Sequence, residues 1–187
     1  MEQVVVFGEN QKDHFFSYLK QFLAGYTDFH SFDGSGFCFS ENSAKVFFHY
    51  VRELDCLEGG KSILFLQKKA NLKKTNRLSD KTTVVIDSEN RKQLELVSRF
   101  PVDVVTFGLS PKDTVTFSSR DEQSAVVSLQ RAVTALDGAL LEPMEIPCIL
   151  NEKLNDPLIL GIASIMILLH LIDGDKEMTL HFPKLLF

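Results

Sequence analysis

At 187 residues the chain has room for one domain with a small appendage. An apolar fraction of 44% excludes a largely disordered polymer. A net charge of −5 and a pI of about 5.5 argue against nucleic acid as the default partner. Cys38, Cys56 and Cys148 show no paired spacing, and an odd count without a basic, long apolar leader reads as a reducing, cytoplasmic setting.

The first element is a short apolar strand, Val4–Phe7, which runs directly into Gly8-Glu9-Asn10-Gln11-Lys12-Asp13. A helix, His14–Ala24, follows with Phe15, Leu19, Phe22 and Leu23 on one face. Buried strand, tight turn with Gly and Lys, then helix N-terminus is the layout of a phosphate-binding loop. The chemistry at the key positions departs from it. A working loop places a second Gly before the Lys and a Ser or Thr after it, the first for close phosphate approach and the second for Mg²⁺. Here those positions hold Gln11 and Asp13, and Glu9 adds another anion. Lys12 reads either as a phosphate contact or as a surface lysine at a turn, and Asp13 as an N-cap for the following helix.

The aromatic-rich stretch Tyr26–Asn42 reads as a loop, with Phe29, Phe32, Phe37 and Phe39 as core or interface residues. Val46, Phe47, Tyr50, Val51 and Leu54 fall at helical spacing and predict a helix over Ser43–Leu57, closed by Glu58-Gly59-Gly60. Ser62–Gln67 and Thr82–Asp87 read as buried strands. Between them, the basic run Gln67–Arg77 reads as a solvated connection. Glu89–Arg99 reads as a helix and Val102–Phe107 as a further strand. Continuous apolar strands joined by helices imply a parallel sheet covered on both faces.

The second half changes character. Asp113–Ser119, Ser124–Arg131 and the short apolar pieces of Thr134–Cys148 read as an antiparallel meander. Residues 157–172 form an apolar stretch of about fifteen residues, short of the roughly twenty needed to span a bilayer. It predicts a buried helix, with Asp156-Pro157 as its N-cap and first helical residue. A tail, Met178–Phe187, is again apolar. Five histidines without metal-ligand spacing argue against a zinc site. Asp28, Asp33 and Glu41 read as a solvated loop rather than as a metal cluster.

These pieces, taken in order, resemble the central ATP-binding domain of the Mur ligases and their folylpolyglutamate synthetase relatives. Val5-Val6-Phe7-Gly8-Glu9-Asn10-Gln11-Lys12-Asp13 sits where that family writes V-T-G-T-N-G-K-T-T. Val84-Val85-Ile86-Asp87-Ser88-Glu89-Asn90 is similar to its V-x-N-x-D-D-P turn. Val104-Val105-Thr106-Phe107-Gly108 is similar to its V-x-T-F-G strand. Ile146-Pro147-Cys148-Ile149-Leu150-Asn151 is similar to L-P-G-x-H-N. The resemblance implies an α/β fold, mostly parallel and doubly wound, with an antiparallel β-meander extension. It implies one domain over 1–187, divided as 1–110, 111–150 and 151–187. It assigns Gly8, Asn10, Lys12, Asp13 and Asn151 to an ATP site.

The departures imply lost chemistry. Asp13 replaces the magnesium-binding Thr, no Glu stands in Ser62–Gln67, and Leu150 replaces the His of the H-N pair. The family's UDP-sugar and C-terminal domains are not within these residues. The expectation is a degenerate, non-catalytic binding or regulatory module near peptidoglycan synthesis. The alternative is a residual ATP-binding protein or ligase subunit completed by a partner chain, or a generic Rossmann-like binder. Sixteen Phe and an apolar end predict a surface covered by a protein partner or by a second copy of the chain.

Overall fold

The computed structural model describes residues 2–8, 15–40, 42–172 and 178–184. The chain divides into two compact units, Met1–Val105 and Thr106–Phe187.

In the first unit, β1 (Glu2–Phe7) is followed by α1 (Phe15–Leu23), β2 (Phe29–Phe32), β3 (Phe37–Cys38), β4 (Val46–Val51), β5 (Cys56–Leu57), β6 (Ser62–Leu66), β7 (Arg77–Leu78), β8 (Thr82–Asp87), α2 (Arg91–Val97) and β9, which begins at Asp103 and ends at Phe107. The strand order is β9-β8-β6-β1-β4-β2-β3. β1 pairs in parallel with β4 on one side and β6 on the other, and β8 and β2 extend the parallel set. β3 runs antiparallel, against β2. From β1 the chain builds one side of the sheet first and then the other. The doubly wound arrangement anticipated from the apolar strands is therefore present, with β1 at the reversal point.

Burial explains the composition of the central strands. Val4–Phe7 and Ser62–Leu66 are buried throughout, as strands covered on both faces must be. α1 covers one face with Phe15, Phe16, Tyr18, Leu19, Phe22 and Leu23, stacking Phe15 on Phe65 and setting Phe16 against Tyr50. Val5, Phe7, Leu64, Leu66, Val84 and Ile86 point to the other face, into a core shared with Val97, Ala70 and Leu72.

Two segments differ from the sequence reading. Ser43–Leu57 is not a helix: it holds β4 and β5, and β4 alternates buried Val46, Phe48 and Tyr50 with half-buried Phe47, His49 and Val51. Tyr26–Asn42 is not only loop, since it carries β2 and β3. The basic connection after β6 is exposed along its lysines but anchored by buried Ala70 and Leu72. It is also tied through Asn76, whose carboxamide donates to the Leu54 carbonyl and accepts from the Lys73 N–H.

In the second unit, β10 (Val115–Arg120), β11 (Ser124–Leu129) and β14 (Met144–Leu150) form the expected antiparallel meander, and β15 (Leu180–Phe182) adds in parallel to β14. β12 (Val133–Thr134) and β13 (Leu140–Leu141) make a separate hairpin whose turn places Gly138 at φ 98°. α3 (Asp156–Leu168) is buried almost all round, which fits its nearly uninterrupted apolar sequence. Its N-cap is Asn155 rather than Asp156: the Asn155 Oδ1 accepts the Leu158 N–H at 2.9 Å, and Pro157 sits in the first turn. Asp156 instead receives Arg120 Nε at 3.0 Å. Among the described residues no helix is long and apolar enough to cross a membrane.

Candidate functional site

In a doubly wound sheet, ligands lie outside the carboxyl ends of the strands where the strand order reverses. In the first unit that place is the end of β1, and the residue standing there is Gly8. The parallel registers set Phe7 beside both Val51 and Leu66, so the chain beyond β1 emerges between the ends of β4 and β6. Gly8 N donates to the Val51 carbonyl at 3.1 Å, and Gln67 N donates to the Phe7 carbonyl at 3.0 Å.

Two side chains close on Gly8. The Tyr50 hydroxyl donates to its carbonyl at 2.9 Å. The Gln67 side chain lies against its Cα: a Cβ built there meets Gln67 Oε1 at 2.1 Å and Gln67 Cβ at 2.8 Å. Only glycine fits such an approach without displacement. Gln67 is 5% exposed, and among the described residues neither its Oε1 nor its Nε2 has a hydrogen-bond partner. A buried carboxamide without partners costs free energy, because it has left water and gained nothing in exchange.

Beside this junction an open cavity of about 430 Å³ is lined by Phe32, Gly34, Tyr50, Val51, Arg52 and Glu53, at the carboxyl ends of β2 and β4. Among the described residues, no group of three or more His, Cys, Asp or Glu side chains could hold a metal ion.

Of the residues assigned from sequence, Gly8 stands at the strand end as its place after an apolar run implied. Asn10, Lys12 and Asp13 lie outside the described residues. Asn151 belongs to the second unit, where it follows β14, is exposed, and donates its N–H to the Phe182 carbonyl at 3.2 Å. Sequence reasoning missed Gln67 and Tyr50 as neighbours of Gly8. The signal available was their position at the ends of strands parallel to β1, hidden for Tyr50 by the helical reading of Ser43–Leu57.

No family model matches the chain, and no curated protein matches it. Solved structures do. The likeness is to a murein peptide ligase Mpl from Psychrobacter arcticus, with a TM-score of 0.54 at 11% identity. It extends to the MurF ligase of Thermotoga maritima solved with ADP, at 0.52 and 13%, and to a UDP-N-acetylmuramoyl-L-alanyl-D-glutamate–2,6-diaminopimelate ligase, at 0.52 and 8%. Between 90% and 94% of this chain is covered, but only 43% to 45% of those chains, so it spans less than half their length. The fold is that of an α/β Mur ligase-like protein. Identities this low establish the fold and no more.

Proposed function

We propose that the chain is a binding module built on the ATP-binding domain fold of the Mur ligases, without ligase activity of its own, and that it serves peptidoglycan synthesis. The observation that carries this reading is what packs around Gly8 at the β1 end. Phosphate-loop chemistry needs backbone N–H groups open to the phosphate and a metal beside them, and the Gly8 N–H is taken by the Val51 carbonyl. Here Gln67 covers the Gly8 Cα and Tyr50 occupies its carbonyl. A neutral carboxamide supplies neither the charge nor the pair of carboxylate oxygens that a magnesium ligand offers. The sequence supports the same reading, with Asp13 in place of the hydroxyl residue after Lys12.

A second reading has its own support. Gly8 stands where doubly wound folds bind ligands, and one structural neighbour was solved with ADP. In that reading Lys12 holds a nucleotide and a partner chain completes the site.

Isothermal titration of ATP and ADP, with and without Mg²⁺ and up to millimolar nucleotide, separates the two. The first reading expects no saturable heat. Saturable binding that disappears in Lys12→Ala replaces it with the second.

A further inference from the structure

The face of the first sheet opposite α1 ends, at its β3 edge, in a row of aromatic rings. The β2–β4 register places His30 beside Phe47 and Phe32 beside His49, and the β2–β3 register places Phe37 beside Phe32. The rings touch in sequence. Phe32 stacks on Phe37 at 4.5 Å, Phe37 on Phe39 at 5.8 Å, and Phe39 meets His30 edge-on at 5.3 Å. His30 then reaches Phe47 at 6.4 Å, and Phe47 reaches His49 at 3.9 Å. Phe37 is 63% exposed and Phe39 66%. Isolated exposed apolar residues are ordinary, but a contiguous ring platform marks an interaction surface.

Three features define what fits it. First, among the described residues β3 is the terminal strand, so its outer edge offers backbone N–H and carbonyl groups to another extended segment. Second, the histidines of the platform are held in it: His30 Nδ1 accepts the Ser40 N–H at 3.1 Å, and burial holds the His49 pKa below the ordinary histidine value. Third, a carboxylate stands at each end of the β2–β3 hairpin. Asp28 is held by the Ser40 hydroxyl at 3.0 Å and the Asn42 amide at 3.2 Å. Asp33 is held by the Ser35 hydroxyl at 2.7 Å and by the Ser35 and Gly36 N–H groups at 3.0 Å. Asp33 also pairs with Lys20 of α1, at 3.9 Å. Ring faces are the negative pole of the aromatic quadrupole, so rings and carboxylates together favour cations.

We infer that this edge binds an extended segment of a partner protein that pairs with β3 and lays arginine or lysine side chains over Phe37 and Phe39, beside Asp28. The inference rests on the reading of the chain as a binding module and names the chemistry of its partner. Alternation in the segment follows from strand geometry: every second side chain faces the rings.

The test is fluorescence anisotropy with a labelled heptapeptide of alternating arginine and valine and its glutamate–valine counterpart. The arginine peptide is expected to bind saturably and the glutamate peptide not at all. Binding is expected to weaken about tenfold in Phe37→Ala/Phe39→Ala and in Asp28→Asn, as loss of one or two cation–π or ionic contacts predicts. Thermal melts confirm that both variants, altered at exposed side chains, remain folded. Equal binding of the glutamate peptide, or unchanged binding in the Phe variant, overturns the proposal. So does sedimentation in which the wild type is a dimer and Phe37→Ala/Phe39→Ala a monomer, because a second copy then covers the platform. The nucleotide titration reads the other end of the module's chemistry, so failure of either result leaves the other legible.

Discussion

Gly8 shows how a single residue can be read correctly for the wrong partner. A glycine after four buried apolar residues signals close approach of some group to the backbone, and that much stands in the sequence. The approaching group is the Gln67 side chain, remote in sequence and recognisable only once β6 is paired in register beside β1. This contact makes a prediction. Gly8→Ala places a methyl within 2.8 Å of Gln67 Cβ and should destabilise the protein by about 1–3 kcal/mol, the range for overpacking. Gln67→Ala removes the carboxamide and its contacts with the new methyl but keeps the Gln67 Cβ contact at 2.8 Å. In that background the cost of Gly8→Ala should shrink, giving a coupling of roughly 0.5 kcal/mol or more in a double-mutant cycle. Additive costs in urea unfolding would mean that Gln67 does not fill the space beside Gly8.

At the level of elements, the sequence yielded most where one physical constraint dominated. The central strands are apolar without interruption because both faces are covered, and α3 is apolar all round because it is buried. β4 failed for an instructive reason. Val46, Phe47, Tyr50, Val51 and Leu54 satisfy helical spacing, but Val46, Phe48 and Tyr50 equally satisfy strand alternation. Its β-branched and aromatic composition, Val-Phe-Phe-His-Tyr-Val, favours the strand. The other shift is at the start of α3, where Asn155 and Asp156 both suit a cap. The extended backbone at Asn155, φ −79° and ψ 151°, and its bond to Leu158 N decide for Asn155. Asn155→Ala should therefore cost about 1 kcal/mol, seen as a lower denaturant midpoint at unchanged slope. Asp156→Asn should leave that cap intact and weaken only the half-exposed pair with Arg120. A larger loss in Asp156→Asn than in Asn155→Ala would return the cap to Asp156.

For the whole molecule, the α/β class and the meander of the second half were legible, while the strand–helix alternation of the first half held only around α1 and α2. They follow from periodicity and burial, which are local in sequence. The site was legible only in part, because its character depends on which strand ends meet, and its charged loop residues say nothing of what covers Gly8. One buried group makes stability depend on pH in alkali. Cys148 is 2% exposed, and burial raises its thiol pKa from an ordinary value near 9 to about 12. The unfolded chain releases this proton near pH 9, while the native chain keeps it until about pH 12. Between those values the unfolded state binds fewer protons, so stability falls as pH rises. The full contribution is present below pH 9 and the slope approaches about 1.4 kcal/mol per pH unit above it. The comparison is with Cys148→Ala. That variant loses packing equally at every pH, and its stability should fall less steeply than the wild type's between pH 9 and 11. Parallel curves would place the Cys148 thiol in contact with water. Thiol labelling provides the independent check: Cys38 and Cys56, both exposed, should react in the native protein, and Cys148 only on unfolding.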